Sequence, residues 1–266
     1  MPARDPLAAQ RALVLGLLLA MAAGAWVWLI WLGAGGMAMG PAAMGPTMGL
    51  GAPLFLLLWA VMMVAMMFPS AAPMILTFQT VQAGRRRRGD GFVATWVFVA
   101  GYMLVWVGAG VVAYAAAVAA EALAARIGLS AAGAARVGGA VLVLAGLYQL
   151  TPLKDRCLAQ CRTPMGFVLT CWRDGVGGAL RMGVRHGLYC MGCCWLLFAI
   201  MFPLGVMNIA VMAAITVVVF AEKSLPWVRP VARGVAVGLV VYGGLVLVRP
   251  AALPTFIASA PMPMSM

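Results

Sequence analysis

Apolar runs of about twenty residues recur along this chain, and they limit its fold more than any other feature. A helix needs about 20 residues to cross the ~30 Å of hydrocarbon in a bilayer. Seven runs approach or exceed that length, roughly 12–34, 53–78, 92–118, 134–152, 187–205, 207–222 and 231–249. Backbone groups in lipid must be satisfied within their own segment, so the runs are expected as helices and not as isolated strands. The reading is an all-α polytopic transmembrane helix bundle of about seven spans, one integral membrane domain over 1–266. The fifth and sixth runs almost touch, which leaves a second reading of six crossings with one re-entrant segment. The first run contains "AMAAGA" but continues through "WVWLIWL", too long for a cleaved leader, and is expected as a retained helix.

The net charge of +12 invites a nucleic-acid reading, which the placement of the charges excludes. Arg4 and Arg11 precede the first run, and Arg85–Arg88 follow the second. Lys154, Arg156, Arg162, Arg173, Arg181 and Arg185 lie between the fourth and fifth, and Lys223, Arg229 and Arg233 between the sixth and seventh. Only Arg126, Arg136 and Arg249 fall on the other side, so 15 of 18 basic residues share one face. The positive-inside rule makes that face cytoplasmic and puts the N-terminus there. The four-arginine run also suits anionic lipid head groups. Segments 35–52, 119–133, the turn near 206 and the tail from 250 then face outward. The longest cytoplasmic segment is 153–186, rich in Cys, Arg and Gly. Its Gly175, Gly177, Gly178 and Gly183 argue against a regular helix, and Trp172 suits the membrane interface. Glu222 and Lys223 are expected to pair at the membrane boundary. Asn208 reads equally as a helix cap or a pathway residue.

This topology separates the sulfur residues. The outward segment 35–52 carries Met37, Met39, Met44 and Met48 in a Gly/Pro background, and the outward tail 250–266 carries Met262, Met264 and Met266. Cys157, Cys161 and Cys171 lie in the inward segment, and Cys190, Cys193 and Cys194 open the fifth run from the same side. Thioethers bind soft metals without losing a proton and form no disulfides, whereas thiolates persist only where they stay reduced. The ion that accepts both is Cu(I), with another soft or borderline metal as the alternative.

Positions i, i+4 and i+7 or i+8 share a helix face, so His186, Cys190, Cys193 and Cys194 are expected to point together. Met191 falls off that face. In "WAVMMVAMMFPSAAPM" (59–74), Met63, Met67, Ser70 and Met74 form one stripe, with Met62 and Met66 beside it. Pro69 and Pro73 remove two backbone donors and are expected to kink or open the helix toward a cavity. Cys157 and Cys161 have i, i+4 spacing, unlike the paired ligands of a zinc finger. The candidate metal ligands are therefore His186, Cys190, Cys193, Cys194, Met63, Met66, Met67, Cys157 and Cys161. There is no G-x-x-x-x-G-K-[ST] loop for ATP, no proton relay at the centre of a span, and no feature that assigns an enzymatic reaction.

The Met-rich stretch, "LYQLTPLKDRCLAQC" followed by "PMGF", and "GALRMGVRHGLYCMGCCWLLF" followed by "MFPLGVMN" and "EKSLPW" together carry a resemblance. Over about residues 50–248 the chain resembles a bacterial domain-of-unknown-function family described as predicted metal-binding integral membrane proteins. The resemblance implies a metal, and Met62, Met63, Met66, Met67, Pro69, Cys157, Cys161, His186, Cys190, Cys193 and Cys194 fall in its motifs. The expectation is a bacterial inner-membrane protein that handles Cu(I) by uptake, transfer or delivery. Its expected partners are the lipid bilayer and a copper chaperone or membrane metalloenzyme, with no nucleic acid, and a homo- or hetero-oligomer is left open. The alternatives are a thiol–disulfide or assembly factor pairing Cys190/Cys193 with Cys157/Cys161, and a scaffold subunit of a larger membrane complex.

Overall fold

The computed structural model describes residues 6–34 and 45–255, and no strand occurs among them. Ten helices follow in chain order: α1 (Pro6–Ala34), α2 (Ala52–Arg87), α3 (Thr95–Arg126), α4 (Ala131–Tyr148), α5 (Pro152–Arg162), α6 (Pro164–Cys171), α7 (Gly175–Ala199), α8 (Met201–Leu204), α9 (Ile209–Ser224) and α10 (Val228–Val248). Six are long and apolar enough to cross a membrane: α1, α2, α3, α4, α7 continued by α8, and α10. The sixth apolar run becomes α9, whose 16 residues are about 24 Å long and short of the hydrocarbon thickness. Asn208 resolves as its cap, accepting from the Val211 N–H at 3.2 Å. Most of the Met-rich segment 35–52 (Met37, Met39, Met44) and the tail methionines Met262, Met264 and Met266 lie outside the described residues.

Glycine sets the helix contacts that matter. A Cβ on Gly183 would stand 2.1 Å from the Phe98 carbonyl oxygen, and one on Gly101 2.3 Å from that of Leu180. Backbones approach this closely only where side chains are absent, as in the small-xxx-small seams of membrane helices. Gly187, one turn on from Gly183, meets Val105 and the Tyr102 carbonyl. The α3/α7 seam therefore fixes which residues of the two helices face each other. A second seam, Gly139 against Gly243, joins α4 to α10.

Three expectations are corrected. The glycine-bearing segment 153–186 is helical, containing α5, α6 and the first half of α7. Thr151 caps α5 by accepting from the Lys154 N–H, with Pro152 opening the helix. The glycines of α7 are used for packing, which outweighs their low intrinsic propensity. Pro69 and Pro73 lie inside a continuous α2. Pro69 leaves the Ala65 carbonyl without its helical donor, and the Trp26 indole of α1 fills the vacancy at 3.1 Å. That carbonyl is used by a neighbouring helix and not by a cavity. Finally, Glu222 and Lys223 do not pair. Glu222 bonds the Lys154 ammonium at 2.7 Å, and both side chains are buried.

Candidate metal centre

The centre forms where α5, α2, α3 and the end of α9 meet α7. Cys190, Cys193 and Cys194 all face inward from α7. Because α7 begins at Gly175 and not near 187, this cluster lies past the middle of the helix and not at its mouth. Cys193 and Cys194 donate to the Cys190 carbonyl at 3.0 and 2.8 Å. Cys161 of α5 is buried close to Cys190 and Cys193, and their proximity together with burial holds its thiol well above the usual range. Cys157 lies one turn earlier, its Sγ against the Gly192 backbone where a Cβ would be only 2.8 Å away. Burial pushes the Cys157 thiol up as well. All six cysteines are free. As the side chains stand, no three His, Cys, Asp or Glu groups among the described residues form a metal-holding set. Cys193 and Cys194 are instead satisfied by a backbone carbonyl.

Two residues absent from the sequence reading of the site touch it directly. Tyr102 Oη lies 3.1 Å from Cys190 Sγ, placed there by the α3/α7 seam. Lys223 donates to Cys190 Sγ at 3.0 Å and to Ser70 Oγ at 3.1 Å. Ser70, in turn, donates to the Met67 carbonyl. Met63, Met67 and Met74 share a helix face with Ser70, and that face carries the Lys223 contact to Cys190. Met62, Met63, Met66 and Met67 are all fully buried.

His186 is one turn before Cys190 but sits in an aromatic box. Its ring lies 5.4 Å from Tyr102, 5.6 Å from Phe167 and 5.9 Å from Phe98. It is 2% exposed, and its Nδ1 has no hydrogen-bond partner. A buried, unpaired ring nitrogen is costly and marks the position for attention. Cys171, at the end of α6, is buried beside Thr170 and away from the cluster.

A polar network supports the centre from below. Lys154 bonds both carboxylate oxygens of Glu222 and the Gln149 side chain. Arg162 donates to the carbonyls of Glu222 and Leu225 at 2.6 and 2.8 Å, capping the C-terminus of α9. These bonds lock α5 to α9 and thereby set Cys161 against Cys190. Depth follows from α2. Fifteen residues separate Ser70 from Arg85, which pairs with Asp174 at the foot of α7. At 1.5 Å per residue the centre lies about 22 Å along the helix from the arginine-rich end.

A family model, PpoB2, described as "Copper chaperone", matches residues 56–246 and so takes in every element of the centre. Comparison with curated proteins and with solved structures gives no match.

Proposed function

We propose a role from one premise, that the chain belongs to this copper-chaperone family. The protein holds Cu(I) within a multi-pass bundle of the bacterial inner membrane and passes it to a partner. Methionines of the outward segments collect the ion, the Met63/Met66/Met67 surface of α2 carries it inward, and the cysteine centre retains it. Thioether gives way to thiolate along that route, so binding strengthens toward the arginine-rich, cytoplasmic end. Cys190 with either Cys193 or Cys161 supplies the two proposed holding thiolates, with Cys194, Cys157 and His186 in reserve.

The observation that carries this reading is the convergence of Cys161 from α5 with Cys190, Cys193 and Cys194 from α7. The donor set suits the ion. Soft thiols in a dry, reduced interior favour Cu(I), and among the described residues no hard carboxylate lies in the immediate cluster. Ionised thiolates are the binding form, so each ligand that joins must release its proton.

Elemental analysis of detergent-purified protein kept under reductant tests this directly. Wild type should carry copper near one or more per chain. The Cys190→Ser/Cys193→Ser/Cys194→Ser variant should lose it while eluting as the same folded species. Cys193→Ser with Cys194→Ser should already abolish tight binding. Wild type that stays metal-free after addition of Cu(I) would sink the proposal and favour the thiol–disulfide alternative.

A further inference from the structure

Lys223 has an unusual set of partners. Both atoms that its ammonium meets belong to buried residues, Ser70 at 7% exposure and Cys190 at 0%. No carboxylate pairs with it among the described residues, because the adjacent Glu222 is taken by Lys154. Lys223 is half-buried, and an ammonium drawn in among buried groups is costly to leave without an opposing charge. The sulfur of Cys190 is the group placed to provide it.

We propose that Lys223 is the fixed counter-charge that matches the cysteine centre to a monovalent soft cation. The inference rests on the copper reading above and adds how the centre chooses its ion. One monovalent cation held by two thiolates leaves one net negative charge, and the Lys223 ammonium cancels it. One divalent cation on the same two thiolates is already neutral and acquires a net positive charge beside Lys223. In a low-dielectric interior that residual charge is penalised far more than in water. Each thiol that joins the ion gives up its proton, and no electron is transferred. Lys223 is then a positioning and selectivity residue and not itself a ligand. Ser70 orients it by accepting one of its protons.

The test loads the detergent-purified full chain with Cu(I) under reductant, or with Zn(II), and measures each affinity by chelator competition. X-ray absorption counts the sulfur neighbours of copper. Lys223→Met keeps the stem and removes the charge. It should weaken Cu(I) by about 100-fold or more while changing Zn(II) by less than about tenfold, a shift in preference that a merely structural role does not produce. Lys223→Arg keeps the charge and should retain Cu(I) within about tenfold. Ser70→Ala should shift the preference in the same direction by a smaller factor. Where Lys223→Met does not elute as a folded species, Lys223→Gln compared with Lys223→Arg carries the same contrast. Equal weakening of both metals, or unchanged Cu(I) affinity without the charge, overturns the inference while leaving the copper reading intact. Wild type that binds no Cu(I) overturns both.

Discussion

Lys154 and Lys223 reach the junction of α5 and α9 from opposite sides, and they are neutralised by different chemistry. Lys154 meets both oxygens of Glu222 and the amide oxygen of Gln149, so the two buried charges are matched to each other. Lys223, one residue from Glu222, turns the other way and ends on a hydroxyl and a sulfur. The first arrangement is a fastener, closed and costly to open. In the proposed role the second is a charge held in readiness, because a sulfur beside an ammonium can still accept a metal in a way that a carboxylate pair sealed by hydrogen bonds cannot. Two lysines of one junction thus divide holding from binding.

That division can be broken at the fastener first. Glu222→Ala leaves Lys154 as an unpaired buried charge and should cost about 3–5 kcal/mol, seen as a fall in thermal stability of the purified protein. It should also release α5 and so weaken copper binding indirectly. Cys190→Ser attacks the other lysine's partner. We expect a loss of at least about 100-fold in Cu(I) affinity, equivalent to about 2.7 kcal/mol, together with a fall in thermal stability smaller than that of Glu222→Ala, because Lys223 keeps only its Ser70 partner. Gly183→Ala pushes a methyl group into the Phe98 carbonyl and forces α3 from α7, for about 1–3 kcal/mol and a weaker Tyr102–Cys190 contact. Tyr102→Phe removes one hydrogen bond and should cost about 1 kcal/mol of stability or less. The sharpest comparison gives the smallest effect. Lys154→Met with Glu222→Gln replaces the fastener by neutral groups and should recover most of the loss seen for Glu222→Ala, leaving copper binding near wild type. Double-mutant analysis then reads the coupling directly.

The helical class and most of the span positions were legible in the sequence, since hydropathy over about twenty residues reports the environment each segment must satisfy. The short helices were not. α5 and α6 are too short or too polar to register as spans, and the glycines of α7 signal flexibility unless their packing partners are known. Within the centre, the inward face shared by His186, Cys190, Cys193 and Cys194 followed from helical spacing alone. The approach of Cys161 did not, because no local pattern records that α5 folds back against α7. Lys223 was hidden for a related reason. Counted as a boundary cation in the charge census, it is in fact at the end of a helix that stops about 22 Å along α2 from the arginine-rich end. Tyr102 carries no motif at all. Its role appears only when Gly101 and Gly183 are seen to bring two backbones together.

The glycine seam between α3 and α7 has a consequence for how the protein meets membranes of different thickness. Helices held by side-chain packing alone can tilt or slide when the hydrophobic thickness around them changes. Here the Phe98 and Leu180 carbonyls sit in notches that Gly183 and Gly101 leave open, so sliding by one turn would bring side chains into the seam. Mismatch with the bilayer therefore falls on the periphery, on α1 above all, which is largely exposed and tied to α2 by the Trp26–Ala65 bond. The spacing between Tyr102 and Cys190 is insulated from the lipid around it, and the centre keeps one geometry wherever the protein is inserted.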